Sequence, residues 1–226
     1  DYEKAIELKP KGSYLHFNCG LAKKALKDDT GAIECFTKAI ELNSGDPDYY
    51  YNRGLCKYSL EDYYGAIDDH TKVIELSSEF TFAYWNRGNA KDCLKDYVGA
   101  IEDYNKVIEL NSNYAGIFYA RGLSKYKLKD YESADMDFNK AIDIDPKQRS
   151  YFFYRGLAKH YLKDYPAAIK NYDQSIELYP NDSNAYINRG LARYFLQDYK
   201  NAIKDYDKAI ELDPNSSTAI QNRKNA

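Results

Sequence analysis

The chain is short of the residues that usually carry chemistry. Its 226 residues include one methionine, one tryptophan, four cysteines and three histidines. No two cysteines form a C-x-x-C pair and the histidines lie far apart, so neither a disulfide framework nor a zinc site is indicated. There is no basic excess. With 32 Lys and Arg against 35 Asp and Glu the net charge is −3, and the pI is near 5.7. Nucleic acid and acidic membranes both demand a basic surface, so neither is expected as a partner. No apolar run approaches the roughly 20 residues of a membrane span. No basic-then-apolar leader opens the sequence. With no leader and cysteines that look reduced, a cytoplasmic setting fits better than secretion. A Gly-rich phosphate loop, a nucleophile elbow and an H-E-x-x-H motif are all missing. The expectation is a protein that is not an enzyme and holds no metal or cofactor.

What is present is a foldable composition, 44% hydrophobic and 30% charged, with an unusual 25 tyrosines. It is also plainly periodic. Gly20, Gly54, Gly88, Gly122, Gly156 and Gly190 recur every 34 residues without an insertion. With this glycine as position 8, six full repeats occupy 13–46, 47–80, 81–114, 115–148, 149–182 and 183–216. Position 14 is Leu, position 20 Ala and position 28 Ile in all six. Position 24 is aromatic except at His70. Apolar residues return every three or four positions, which predicts two amphipathic helices per repeat, A over about positions 2–14 and B over about 17–31. Asp62, Asp96, Asp130, Asp164 and Asp198 at position 16 suit the N-cap of helix B, and Pro166 suits its first turn. Pro10, Pro146, Pro180 and Pro214 at position 32 close it, as Ser44, Ser78 and Ser112 do less firmly.

The 34-residue helix–turn–helix register with Gly, Ala and aromatic residues at these spacings resembles the tetratricopeptide repeat family, over nearly the whole chain. The implied fold is all-α, a right-handed solenoid or superhelix of helical hairpins forming one domain. Residues 1–12 match the second helix of an incomplete repeat, and 217–226 the start of a further helix or cap. The expectation is a segment of a longer protein, since solenoids normally end in polar caps.

The chain departs from the family pattern, which has Leu at position 7 and aromatics at 11 and 23. Here position 7 is Arg53, Arg87, Arg121, Arg155 and Arg189, and position 11 is Lys or Arg. Position 23 is Asp69, Asp103, Asp137, Asn171 and Asp205. Arg at 7 and Asp at 23 are expected to pair, partly buried, within each repeat; the competing reading is a solvated charged face. The first repeat changes both members together, to Cys19 and Cys35, which suggests contact. A reduced, packed pair is favoured there over a disulfide.

The resemblance implies that helix A faces line a concave groove. Position 5 supplies Phe17, Tyr51, Trp85, Tyr119 and Phe153, position 9 supplies Asn89, and position 12 supplies Tyr126. Position 6 supplies Asn18, Asn52, Asn86 and Asn188, interrupted by Ala120 and Tyr154. An asparagine amide donates and accepts at once, so it can hold a peptide backbone. These residues are the candidate partner-binding site. The bland alternatives are that the rings pack between helices and that the amides bond locally. No repeat has Lys at position 5 or Arg at position 6, so the carboxylate clamp of chaperone-binding members is not expected. The resulting expectation is a protein-interaction scaffold that binds an extended peptide or helix in an aromatic-lined groove. Its alternatives are self-assembly through open solenoid ends, a spacer, or a regulatory domain of a larger protein.

Overall fold

The structure is a computed structural model that describes residues 12–110 and 113–226. The half repeat read at 1–12 therefore lies outside the described residues except for Gly12, and so does Ser112. The chain divides into two compact units, Asp1–Ser112 and Asn113–Ala226. The described residues of the first unit form three hairpins: α1 (Ser13–Ala25) with α2 (Asp29–Leu42), α3 (Pro47–Ser59) with α4 (Tyr63–Leu76), and α5 (Thr81–Cys93) with α6 (Tyr97–Leu110). The second contains α7 (Ala115–Lys127) with α8 (Tyr131–Ile144), α9 (Arg149–Tyr161) with α10 (Tyr165–Leu178), α11 (Ser183–Phe195) with α12 (Tyr199–Leu212), and then α13 (Ser217–Asn225). Within each unit every helix packs on its hairpin partner and on the helix that follows it. This is an all-α solenoid.

Each hairpin turns in three residues. Leu at position 14 is the C-cap of helix A. Position 15 then takes a positive φ, between 61° and 64°, at Lys27, Glu61, Lys95, Lys129, Lys163 and Gln197. In the first hairpin the Lys27 N–H donates to the Lys24 carbonyl at 2.9 Å, and the Asp28 N–H to the Lys23 carbonyl at 3.0 Å. This paired 5→2 and 6→1 pattern is the Schellman motif, normally built on glycine. The next residue, Asp28, at once caps helix B, accepting from the Gly31 N–H at 2.9 Å. All six position-16 aspartates cap in this way.

The core lies where helix A presses a glycine against the position-24 ring. A Cβ on Gly122 would lie 2.8 Å from the fully buried Phe138 ring, and one on Gly156 2.6 Å from Tyr172. The same ring covers Ala at position 20 and a small residue at position 10 of the next repeat. Examples are Ala134, Phe138 and Ala158, then Ala168, Tyr172 and Ala192. Position 27, not the invariant Ile at 28, completes this face: Ala39, Val73, Val107, Ala141, Ser175 and Ala209 are buried. Positions 20, 24 and 27 share one helical stripe, and position 28 falls at its edge. The Leu at position 14 contributes less than its invariance suggests, because C-cap geometry leaves Leu26 80% and Leu60 49% exposed.

The cross-helix ion pair forms as expected. Arg53 grips Asp69 with Nε at 2.9 Å and Nη2 at 2.6 Å, and the carboxylate is almost fully buried. Arg87–Asp103, Arg121–Asp137 and Arg189–Asp205 repeat it. The solvated-face reading is thereby set aside for these four pairs. Two features add to it. The position-11 cation (Lys57, Lys91, Lys125 or Arg193) holds the other carboxylate oxygen. The free Nη1 of Arg53 and Arg87 reaches back to Thr37 and Thr71 of the preceding repeat, 3.1 Å each. Each guanidinium also lies over the position-4 ring one turn earlier. The fifth repeat departs from the expected pairing. Asn171 offers no charge, so Arg155 and Lys159 both turn to Asp135 of the preceding repeat, at 3.1 and 2.8 Å.

His70 takes the place of the ring in the second repeat. It is fully buried, and neither ring nitrogen has a hydrogen-bond partner among the described residues. Burial pushes its pKa down to about 4, helped by Arg87 and opposed by Asp69. The neutral form is the one that fits.

Asp103→Ala strands two cations and is expected to cost about 3–5 kcal/mol in urea unfolding. Arg87→Ala costs less because Lys91 stays on the carboxylate, and Lys106→Ala, on an exposed pair with Glu109, costs under about 1 kcal/mol. Lys129→Gly relieves the left-handed backbone and should stabilise by roughly 0.5–1 kcal/mol, the strain released less the added chain entropy. For His70, the folded pKa lies below the ordinary 6.5, so stability is complete above that value and falls as pH drops toward 4. Melting temperatures at pH 7, 6 and 5 should fall more steeply in the parent than in His70→Phe, which keeps the smaller contribution of His160, whose pKa burial also lowers.

Candidate functional site

The candidate residues all sit on A helices, and the packing that fixes the hairpins also aims them. Gly at 8 and the small residue at 10 face helix B, which leaves positions 5, 6, 9, 12 and 13 on the remaining surface of helix A. In the first unit this surface is tied together by polar links. Lys24 donates to Asn52 Oδ1 at 3.1 Å, and Asn52 Nδ2 donates to the Asp48 carbonyl at 2.9 Å. Asn86 Nδ2 donates to the Tyr51 hydroxyl at 3.2 Å. The Tyr104 hydroxyl, buried in the hairpin core, donates to Asn89 Oδ1 at 2.9 Å. Tyr58 and Cys93 meet at 3.4 Å between Oη and Sγ. The amides at position 6 therefore already carry bonds, and Asn188 in the second unit likewise donates to the Asn184 carbonyl at 2.8 Å. An amide group has two N–H donors and an oxygen with two lone pairs, so these bonds do not exhaust it. Asn18 sits half-buried on α1.

The rings at position 5 are also half-buried. Phe17 packs on Phe36 and Tyr49, with centroids at 5.7 and 5.0 Å. Tyr51 packs on His70 and Phe80. Trp85 is partly exposed on α5. Tyr119 contacts Phe138, Tyr151 and Tyr154, and Phe153 contacts Tyr154 and Tyr172. In the sixth repeat the position holds Ile187, which is buried. Phe17, Tyr51, Trp85, Tyr119 and Phe153 are thus neither fully buried nor fully exposed. Burial pushes the Tyr119 phenol up to about 12 and also raises those of Tyr51 and Tyr126. These hydroxyls stay protonated and act as neutral donors at any ordinary pH.

The second unit is different in kind. Its A-helix surface is aromatic rather than amide-rich. Tyr126 meets Tyr131, Tyr154 and Tyr161 edge-on. Tyr131 stacks on Tyr161 with centroids 4.7 Å apart and planes 8° off parallel, and Tyr165 stacks on Phe195 at 5.0 Å and 7°. Each stack joins position 17 of one repeat to position 13 of the next. Tyr161 and Phe195 remain about half exposed, at 53% and 50%. The sequence places Tyr131 and Tyr165 among the position-17 tyrosines that bury a ring and keep a hydroxyl in water, but does not point to Tyr161 or Phe195 as their partners. The signal was there: position 13 runs Ala25, Ser59, Cys93, Lys127, Tyr161, Phe195, and turns aromatic only at the end.

His16, His70 and His160 lie on three different helices, and among the described residues no group of three His, Cys, Asp or Glu side chains is placed to hold a metal ion. No described helix is long and apolar enough to cross a membrane.

Comparison with known proteins agrees with the register. Tetratricopeptide repeat models match residues 13–46, 115–148, 151–182 and 183–216, and a TPR repeat model matches 94–129. No curated protein matches the sequence. Among solved structures, the C-terminal part of a TPR repeat-containing protein from Cytophaga hutchinsonii is similar at TM-score 0.82 and 17% identity, covering 98% of this chain and 91% of that one. YrrB, described as a TPR protein with an unusual peptide-binding site, is similar at TM-score 0.76 and 24% identity, covering 85% of this chain and 99% of its own. MamA from Desulfovibrio magneticus RS-1 is similar at TM-score 0.71 and 22% identity, covering 74% and 94%. The chain belongs to the tetratricopeptide repeat family, and its hairpins make an all-α scaffold for protein interaction.

Proposed function

We propose that the chain holds an extended peptide or a partner helix of another protein against its A-helix surface. The observation that carries this reading is the set of rings at positions 5, 12 and 13, which are half-buried or, at Tyr161 and Phe195, about half exposed. A pre-anchored ring loses little freedom when it is covered, which is why aromatic residues dominate binding hot spots. The position-6 amides have donor and acceptor capacity left over for a peptide backbone, which would give affinity without strict sequence reading. The peptide-binding site in the name of YrrB supports the same mode, as does a fold whose business is contact rather than catalysis. We infer a non-catalytic role with no cofactor. The carboxylate-clamp mode of chaperone binding stays disfavoured, since position 5 carries no lysine.

The test is affinity capture from a source lysate, with mass spectrometry to identify what is held. The parent is compared with Trp85→Ala, Tyr161→Ala and Phe195→Ala, each first shown to keep its helicity by circular dichroism. A partner held by the parent should lose affinity about 30-fold in each variant that touches it, the equivalent of a 2 kcal/mol hot spot. Equal retention by all three variants removes the A-helix surface as the site. Capture of this chain alone, in a concentration-dependent manner, would replace the reading with self-assembly.

A further inference from the structure

The first repeat breaks the charge pattern in one place. Where four other repeats set Arg against Asp across the hairpin, α1 presents Cys19 and α2 presents Cys35. The two thiols face each other with Sγ atoms 3.1 Å apart, and Cys35 is the donor of the pair. Both are free, Cys19 buried and Cys35 partly exposed. Lys23, at the position whose cation elsewhere holds the aspartate, keeps its charge beside both sulfurs, with Asp28 and Glu34 also near. The other two cysteines are placed differently. Cys56 is fully buried under α2, and Cys93 is exposed on α5 beside Tyr58.

The geometry points to Cys19 and Cys35 as a thiol-modification site, a dithiol that a low-molecular-weight disulfide converts to a cross-helix bond. The sulfurs need to approach by only about 1 Å to reach the ~2.05 Å of a disulfide, a movement that side-chain torsions supply. The bond would join the same two positions that the Arg–Asp bridge joins in four other repeats, so no new backbone path is required. The chemistry is exchange. One cysteine thiolate attacks a sulfur of RSSR and expels RS⁻, which takes up a proton. The second thiolate then attacks the protein sulfur of that mixed disulfide, the Cys19–Cys35 bond forms, and the second RSH leaves. The protein dithiol loses two electrons and two protons, and the small disulfide gains both. Lys23 favours the thiolate that attacks. Burial and the neighbouring thiol work against it and push Cys35 up to about 12, so exchange accelerates as pH rises. The closed form pins α1 to α2 in a hairpin that lacks the ionic bridge.

The experiment incubates the whole chain with glutathione disulfide and reads intact mass, peptide map and amide exchange. The expected result is loss of two hydrogens, a single cross-linked peptide pair joining Cys19 to Cys35, and two of the four thiols still titratable after denaturation. Exchange in α1 and α2 should slow on oxidation and recover on adding dithiothreitol. Cys19→Ser should stop at the mixed disulfide on the partly exposed Cys35, Lys23→Met should slow the reaction several-fold near neutral pH, and Cys56→Ser/Cys93→Ser should change nothing. Four free thiols after prolonged exposure, or a bond made through Cys56 or Cys93, overturns the assignment. So does a Cys19–Cys35 bond that leaves exchange in α1 and α2 unaltered, because the clamp would then be absent.

Discussion

The contact between a bare glycine and an aromatic ring sets the spacing of everything else. Any Cβ at position 8 would meet the facing ring at 2.5–2.9 Å, from Gly20 on Phe36 to Gly54 on His70. Helix A must therefore lie directly on the ring, and the residue before the ring is drawn to the same depth. That residue is the aspartate at position 23. A carboxylate at this depth is costly unless it is neutralised, and Arg at 7 and Lys at 11 are the side chains of helix A that can reach it. The arginine has donors to spare and uses one on the preceding repeat. Packing inside one hairpin thus determines the bond between neighbours.

Much of this was legible because it repeats. The 34-residue glycine register located every hairpin, and the joint change to Cys19 and Cys35 correctly signalled that positions 7 and 23 touch. What escaped was whatever depends on angle rather than spacing. Leu at 14 and Ile at 28 are invariant yet stand at the margin of the core, while the less uniform position 27 is buried. Lys at 11 shares a face with Arg at 7, but that it would share the same carboxylate required the depth of the aspartate. Asn171 disclosed only that one pair would be missing; where Arg155 would turn instead was set by Asp135 on another helix. The left-handed residue at position 15 had no signal at all, since Lys, Glu and Gln occupy it in place of glycine.

The candidate surface was legible as a set of positions and less so in its character. Positions 5 and 9 are not turned from helix B: the position-5 rings pack on the helix-B ring, and Asn89 takes the Tyr104 hydroxyl. The chemistry of the surface divides by unit. In the first, amides and hydroxyls bridge successive A helices, from Lys24 to Asn52 and from Tyr51 to Asn86. In the second, ring stacks join each B helix to the A helix that follows, Tyr131 on Tyr161 and Tyr165 on Phe195. A single repeat averaged over the chain conceals this, because the substitutions that create it occur at a position that is small in the first unit and large in the last two repeats. The two surfaces differ in what they can offer a ligand: directional bonds in one, broad flat contact in the other.

The turn between helices A and B contains no slack. One helix ends in a motif that uses Asp28 as its last donor, and the same aspartate begins the next helix with its side chain. Every residue from 14 to 16 has an assigned backbone role. An added or deleted residue could not be absorbed as a loop. It would have to enter a helix, where it turns everything beyond it by about 100°. The glycine would then miss its ring, and the error would pass along the row. A joint this tight behaves like a keyed shaft coupling, tolerant of what decorates its outside and intolerant of any change in count. That is the mechanical reason a chain free to vary its surface residues keeps 34 between one glycine and the next.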